Sequence, residues 1–169
     1  MSRYKLKAKT ITAAALIVAA AVLIIICTFC TGHSLVLENT ETGERYAAFP
    51  VENGDRFSVE FIHSVNQSPV KDIYEIRNNN EIYVVETDYF GFGAGVQTEL
   101  NPGETLEYGE DGSMRIKNID TLLPNLIYVV GTVSDHVLCI DGQELSLREL
   151  CGKNSSVSFR VCKRLLLLC

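Results

Sequence analysis

The sequence has no internal repeat and no excess of proline or glycine, with 4 Pro and 12 Gly in 169 residues. Collagen-like and low-complexity architectures are excluded on that ground. It also has no tryptophan, and no acidic residue before Glu38. Charge is sparse: 21% of residues are charged against 47% apolar. A chain this apolar offsets its ordering entropy by burial, which excludes global disorder. Four basic residues, Arg3, Lys5, Lys7 and Lys9, precede the first acid; the remainder holds 11 basic and 21 acidic residues, a net of −10. A surface of that sign repels a phosphate backbone, so nucleic acid is not an expected partner.

Signatures of several chemistries are missing as well. The spacing of Cys139, Cys151, Cys162 and Cys169 is nothing like a C-x-x-C zinc knuckle, and neither an H-x-x-x-H nor an EF-hand pattern occurs. No metal and no cofactor is therefore expected. The G-x-S-x-G nucleophile elbow is absent too. The glycines of Gly91-Phe92-Gly93-Ala94-Gly95 are not followed by Lys-Ser/Thr or by a helix opening, as a phosphate cradle would require.

What is present begins with an apolar run from Ile11 to Cys30, ITAAALIVAAAVLIIICTFC. A helix of about 20 residues matches a hydrocarbon core of ~30 Å. The basic flank puts residues 1–10 in the cytoplasm and the chain from Thr31 outside. The run exceeds the ~7–15 apolar residues of a cleaved signal, and no A-x-A-like site follows it. An uncleaved transmembrane signal-anchor over 11–30, in contact with the lipid bilayer, is the expectation, with a cleaved signal peptide as the alternative; either leaves residues 33–169 as an extracytoplasmic domain. Ile26 and Phe29 precede Cys27 and Cys30, where a lipoprotein site needs a small residue. Outside the cytoplasm one or two disulfides are expected among the four later cysteines, with three pairings open; the alternative is that several are small buried apolar residues.

Beyond the anchor, period-two alternation recurs in short runs separated by turn residues. Strands are expected at Ser34–Glu38, Arg45–Pro50, Arg56–His63, Val70–Arg77, Glu81–Tyr89, Glu104–Tyr108, Met114–Lys117, Leu126–Val133, His136–Ile140 and Ser156–Lys163. Leu145–Leu150 reads as one helical turn or a short strand. Such a ladder predicts an all-β, antiparallel sandwich or barrel-like domain. The terminal Leu165–Cys169 reads as an extension of the last strand or as a greasy contact tail.

One stretch, Phe61–Glu75, is chemically dense. His63 ends the apolar row Phe57, Val59, Phe61, just where a polar loop of Ser64, Asn66, Gln67 and Ser68 leads into Pro69. Glu86 and Asp88 follow on one face of their strand. A hydrolase-like centre would pair His63 with Ser64 or Ser68 and a carboxylate from Asp72, Glu86 or Asp88. A metal site would recruit His63 and His136. The structural alternative is a half-buried His63 satisfied by a carbonyl or a carboxylate, beside an ordered turn. A purely structural envelope domain is a third alternative.

His63-Ser64-Val65, Ser68-Pro69-Val70, Tyr74-Glu75, Glu86-Thr87 and Gly93-Ala94-Gly95 together resemble domain-of-unknown-function family 1850. Where that family often closes the Gly-Ala-Gly run with a proline, Val96-Gln97 stands here. Its members are small exported or membrane-anchored bacterial proteins, often encoded beside TRAP transporters of the TAXI class. The resemblance implies an accessory role near a TRAP-type transporter membrane subunit or its solute-binding protein, and no catalytic residue. The expected binding surface comprises His63, Ser64, Asn66, Ser68, Pro69, Tyr74, Glu75, Glu86, Gly93 and Gly95.

Overall fold

The computed structural model describes residues 16–22, 32–65, 67–78, 80–91, 97, 99–110 and 112–164. Among the described residues from His33 to Lys163, alternating apolar positions produce eleven strands and one short helix. In chain order these are β1 (His33–Asn39), β2 (Arg45–Val51), β3 (Arg56–Ile62), β4 (Pro69–Arg77), β5 (Glu81–Tyr89) and β6 (Thr105–Tyr108). There follow β7 (Met114–Leu122), β8 (Leu126–Val129), β9 (His136–Ile140), β10 (Gln143–Ser146), α1 (Leu147–Cys151) and β11 (Ser156–Lys163). All pairings are antiparallel, in one sheet ordered β2-β1-β11-β8 and another ordered β10-β9-β3-β4-β5-β7-β6. The strands thus form two sheets rather than one closed barrel.

The sheets share one core. Phe57 on β3 and Phe159 on β11 stack with centroids 5.9 Å apart and planes 1° from parallel. Leu35 and Leu37 of the smaller sheet and Val59, Ile76 and Leu138 of the larger are fully or almost fully buried in the same cluster. Removing an aromatic ring from such a position costs about 3–5 kcal/mol, so the Phe57–Phe159 contact is a principal tie between sheets. Registers set the inward rows of the larger sheet. Phe57 lies opposite Tyr74 and Ile140, Val59 opposite Asp72 and Leu138, and Phe61 opposite Val70 and His136.

Three elements differ from the sequence expectation. β7 runs to Leu122 rather than Lys117: Asn118 adopts φ 59° and breaks the alternation, and beyond it Ile119 is buried as Ile116 is. A period-two reading stops at that irregularity. β8 ends at Val129, where Val130 leaves the ladder to exchange backbone hydrogen bonds with Ser155 and Asn154. Leu145–Leu150 proves to be both alternatives in succession. It ends β10 and begins α1, with Ser146 Oγ accepting from the Glu149 amide at 3.0 Å as an N-cap.

Cys139, Cys151 and Cys162 are free thiols, against the expected bridging among the later cysteines. They lie on different elements, β9, α1 and β11, and burial pushes the Cys151 thiol up to about 11. Cys169, the Leu-rich tail and most of the 11–30 run lie outside the described residues. Residues 16–22 are helical; among the described residues no helix is long and apolar enough to cross a membrane.

Candidate functional site

The connection from β3 to β4 is a hairpin loop tied by its own hydrogen bonds. The His63 amide donates to the Ser68 carbonyl and the Gln67 amide to the His63 carbonyl, both at 2.9 Å. Gln67 Nε2 donates to the Ser64 carbonyl at 2.6 Å, and Gln67 itself takes φ 52°. His63 is half-buried, as expected, but its partner is different. Its Nδ1 accepts from the Val65 amide at 3.3 Å, which places the proton of the neutral ring on Nε2. Among the described residues no hydrogen bond joins the His63 ring to the hydroxyl of Ser64 or Ser68. Ser68 Oγ is buried without a hydrogen-bond partner. It packs so closely under Gly91 that a Cβ there would sit 3.2 Å from the hydroxyl. At the loop apex Val65 is 69% exposed.

A second polar group sits between the sheets. Asp72, on the inward row of β4, accepts from Thr87 Oγ1 at 2.9 Å on Oδ1 and from Tyr128 Oη at 3.1 Å on Oδ2. Tyr74 Oη lies 3.5 Å from the same Oδ2 and 2.5 Å from Tyr128 Oη. The register gives this geometry: Asp72 is opposite Thr87 on β5, and Tyr74 follows two residues along the same face. Tyr128 reaches across from β8 of the other sheet. Burial raises the Asp72 carboxyl above the usual carboxylate range, and the hydroxyl donors oppose this without cancelling it. Burial, then the Asp72 charge, pushes Tyr74 far above an ordinary phenol; burial and both neighbours do the same to Tyr128. Both phenols therefore stay protonated and act as donors.

An aromatic wall adjoins this network. His136 stacks on Phe61 with centroids 5.1 Å apart, and Tyr128 meets His136 edge-on at 5.5 Å. Burial lowers the His136 pKa, against the pull of Asp135, and its Nδ1 accepts from the Gly131 amide at 3.2 Å. Burial opposes charge at Asp135 too, yet hydrogen bonds from Ser146 Oγ and the Arg148 and His136 amides hold its carboxyl low. No group of three His, Cys, Asp or Glu able to hold a metal occurs among the described residues.

The remaining expected residues face the other way. Glu75 is on the outer face of β4, bonded to Arg56 at 2.7 Å and to Arg77 at 2.7 Å, and these arginines hold its carboxyl low. Glu86 shares that face with Asp88; burial and the Asp88 charge raise its carboxyl. Asp88 is buried, with Oδ1 lacking a hydrogen-bond partner and Oδ2 3.5 Å from Arg115 Nε.

The expected residues thus divide among three places. His63, Ser64, Ser68 and Pro69 share the hairpin loop, Tyr74 joins the interior network, and Glu75 and Glu86 lie on the outer face. Asn66, Gly93 and Gly95 are outside the described residues. Asp72, considered above as an orienter for His63, instead serves three hydroxyls. The spacing of Val70, Asp72 and Tyr74 puts the acid on the inward face and could have flagged it. Tyr128 had no local signal, being 56 residues away in the chain.

A family model described as "Domain of unknown function (DUF1850)" matches residues 57–147. That stretch contains all seven strands of the larger sheet except Arg56, the first residue of β3. No curated protein and no solved structure matches.

Proposed function

The chain belongs to the DUF1850 family, and from that premise we propose that it is a binding and accessory module with no chemistry of its own. In this reading the 11–30 run anchors it in the cell membrane with the β domain outside. The partner is a TRAP-type transporter, through its membrane subunit or its solute-binding protein.

One observation carries the choice of contact surface: the His63–Ser68 loop is fixed by four internal hydrogen bonds yet presents an exposed apolar side chain, Val65, at its tip. A loop ordered before contact loses little conformational entropy on binding. An apolar tip with a polar surround is the composition of a protein contact rather than of a solvated turn. The hydrolase alternative finds less support, since His63 spends Nδ1 on its own loop and Ser68 Oγ is enclosed under Gly91.

The test is affinity purification of the full-length protein from its own membranes in mild detergent, with co-purifying proteins identified by mass spectrometry. We expect a polytopic transporter component with the wild type, depleted several-fold with Val65→Asp and with His63→Ala. Equal recovery with all three proteins contradicts the site, and a partnerless wild type contradicts the accessory role.

A further inference from the structure

We propose that the outer face of the larger sheet holds a binding pocket for a small organic anion bearing a carboxylate, gripped by Arg56, Arg77 and Lys117 above an apolar floor of Val85 and Ile119. This site is separate from the hairpin loop and does not depend on the partner reading.

A cavity of about 350 Å³ lies there, lined by those five residues together with Glu86 and Asn118. Its volume is at the small end of the range for small-molecule sites, about 300–1,000 Å³. The cavity has a structural origin. On β5 Val84 pairs with Thr121 and Glu86 with Lys117, so Val85 alone faces the stretch Asn118, Ile119, Asp120 of β7. The ladder opens at that point, and Asn118 adopts φ 59°, a conformation rarely taken by residues other than glycine. Irregularities of this kind are over-represented beside functional sites, where they re-aim side chains. Val85 and Ile119 are buried and form the base.

The cations are held in place from behind. Arg56 gives Nε and Nη2 to Glu75. Arg77 gives Nε to Glu75 and Nη1 to Asp120, with its guanidinium 4.7 Å from the Tyr83 ring centroid. Lys117 meets Glu107 at 2.6 Å. Among the described residues these pairings leave Nη1 of Arg56, Nη2 of Arg77 and two ammonium protons of Lys117 to spare. Carboxylates behind the cations orient them and leave donors for a ligand, and a guanidinium matches a carboxylate's two oxygens. Three cations line a pocket in a domain whose residues beyond the first ten carry a net −10. Glu86 is the acid in the lining; burial and the Asp88 charge raise its carboxyl, against the pull of Lys117 and Arg115. The apolar floor suits an organic body rather than a bare inorganic ion.

The test is calorimetric titration of the full-length protein in mild detergent with succinate, at an ionic strength held constant with sodium chloride. Methylammonium serves as the opposite-charge probe. Lys117→Ala and Arg56→Gln are compared with the conservative Lys117→Arg, all checked for an unchanged circular dichroism spectrum. We expect saturable succinate binding, none for methylammonium, and affinity about tenfold weaker in the first two variants, the loss expected for one charge-assisted contact. Lys117→Arg is expected to retain binding. Absence of saturable succinate binding, or wild-type affinity in both Lys117→Ala and Arg56→Gln, overturns the proposal.

Discussion

Asp72 concentrates the residue-scale energetics. Its carboxyl is half-buried on an inward row whose neighbours, Val59 and Leu138, are fully buried, and its acceptors are occupied by hydroxyls from β4, β5 and β8. Because its folded pKa is raised above the unfolded value, the native state holds the proton more tightly than the unfolded chain. Its contribution is most favourable at low pH and is lost as pH rises through the raised folded pKa. His136 has the opposite sign: its depressed folded pKa withdraws stability as pH falls below about 6.5, the usual histidine value. We expect Asp72→Asn, which keeps an acceptor for Thr87, to gain stability relative to wild type as pH rises above the ordinary Asp range. Asp72→Ala should lose about 1–3 kcal/mol throughout, because two buried hydroxyls then lack an acceptor. Urea unfolding of the three proteins from pH 4 to 8 measures both. A wild-type-minus-Asn difference that is flat with pH contradicts the assignment of a raised Asp72.

At the scale of elements, the strand ladder was legible wherever alternation ran unbroken and turn chemistry was local. Asp141-Gly142 is the clearest case. Both residues take positive φ, 50° and 71°, in the two-residue hairpin that pairs Ile140 with Gln143. Where the ladder is irregular the sequence was opaque. Ile116 and Ile119, three apart, are both buried, Ile119 at the base of the outer pocket, and Asn118 between them breaks the alternation, so β7 read as half its length. Asn118 also donates to Thr105 Oγ1 at 3.2 Å, linking the irregularity to β6. Asn118→Ala should therefore destabilise by about 1–2 kcal/mol through the left-handed backbone, and Asn118→Gly by clearly less. Thermal melts ranking Asn118→Gly below Asn118→Ala would show that the side chain, rather than the backbone, sets the bend.

At the scale of the molecule, all-β character followed from composition and period. The division into two sheets did not. β1 lies between β2 and β11, and the strands that join them are separated by most of the domain's length. The sites were hidden for the same reason. Tyr128 meets Asp72 only because β8 belongs to the sheet opposite β4, and the outer pocket requires β3, β4, β5 and β7 side by side. The hairpin loop was legible because it is contiguous in sequence, and its four hydrogen bonds explain why a polar segment between two strands can be rigid. A rigid loop with an apolar tip is the basis for treating the protein as a partner-binding module. Its most direct test is a photo-crosslinking amino acid placed at Val65 of the full-length protein in native membranes, with exposed Lys153 as the control position. We expect position 65 to yield a discrete adduct with a transporter membrane subunit or its solute-binding protein, and position 153 to yield none. No adduct at position 65, or the same adducts from both positions, would contradict a specific contact through this loop.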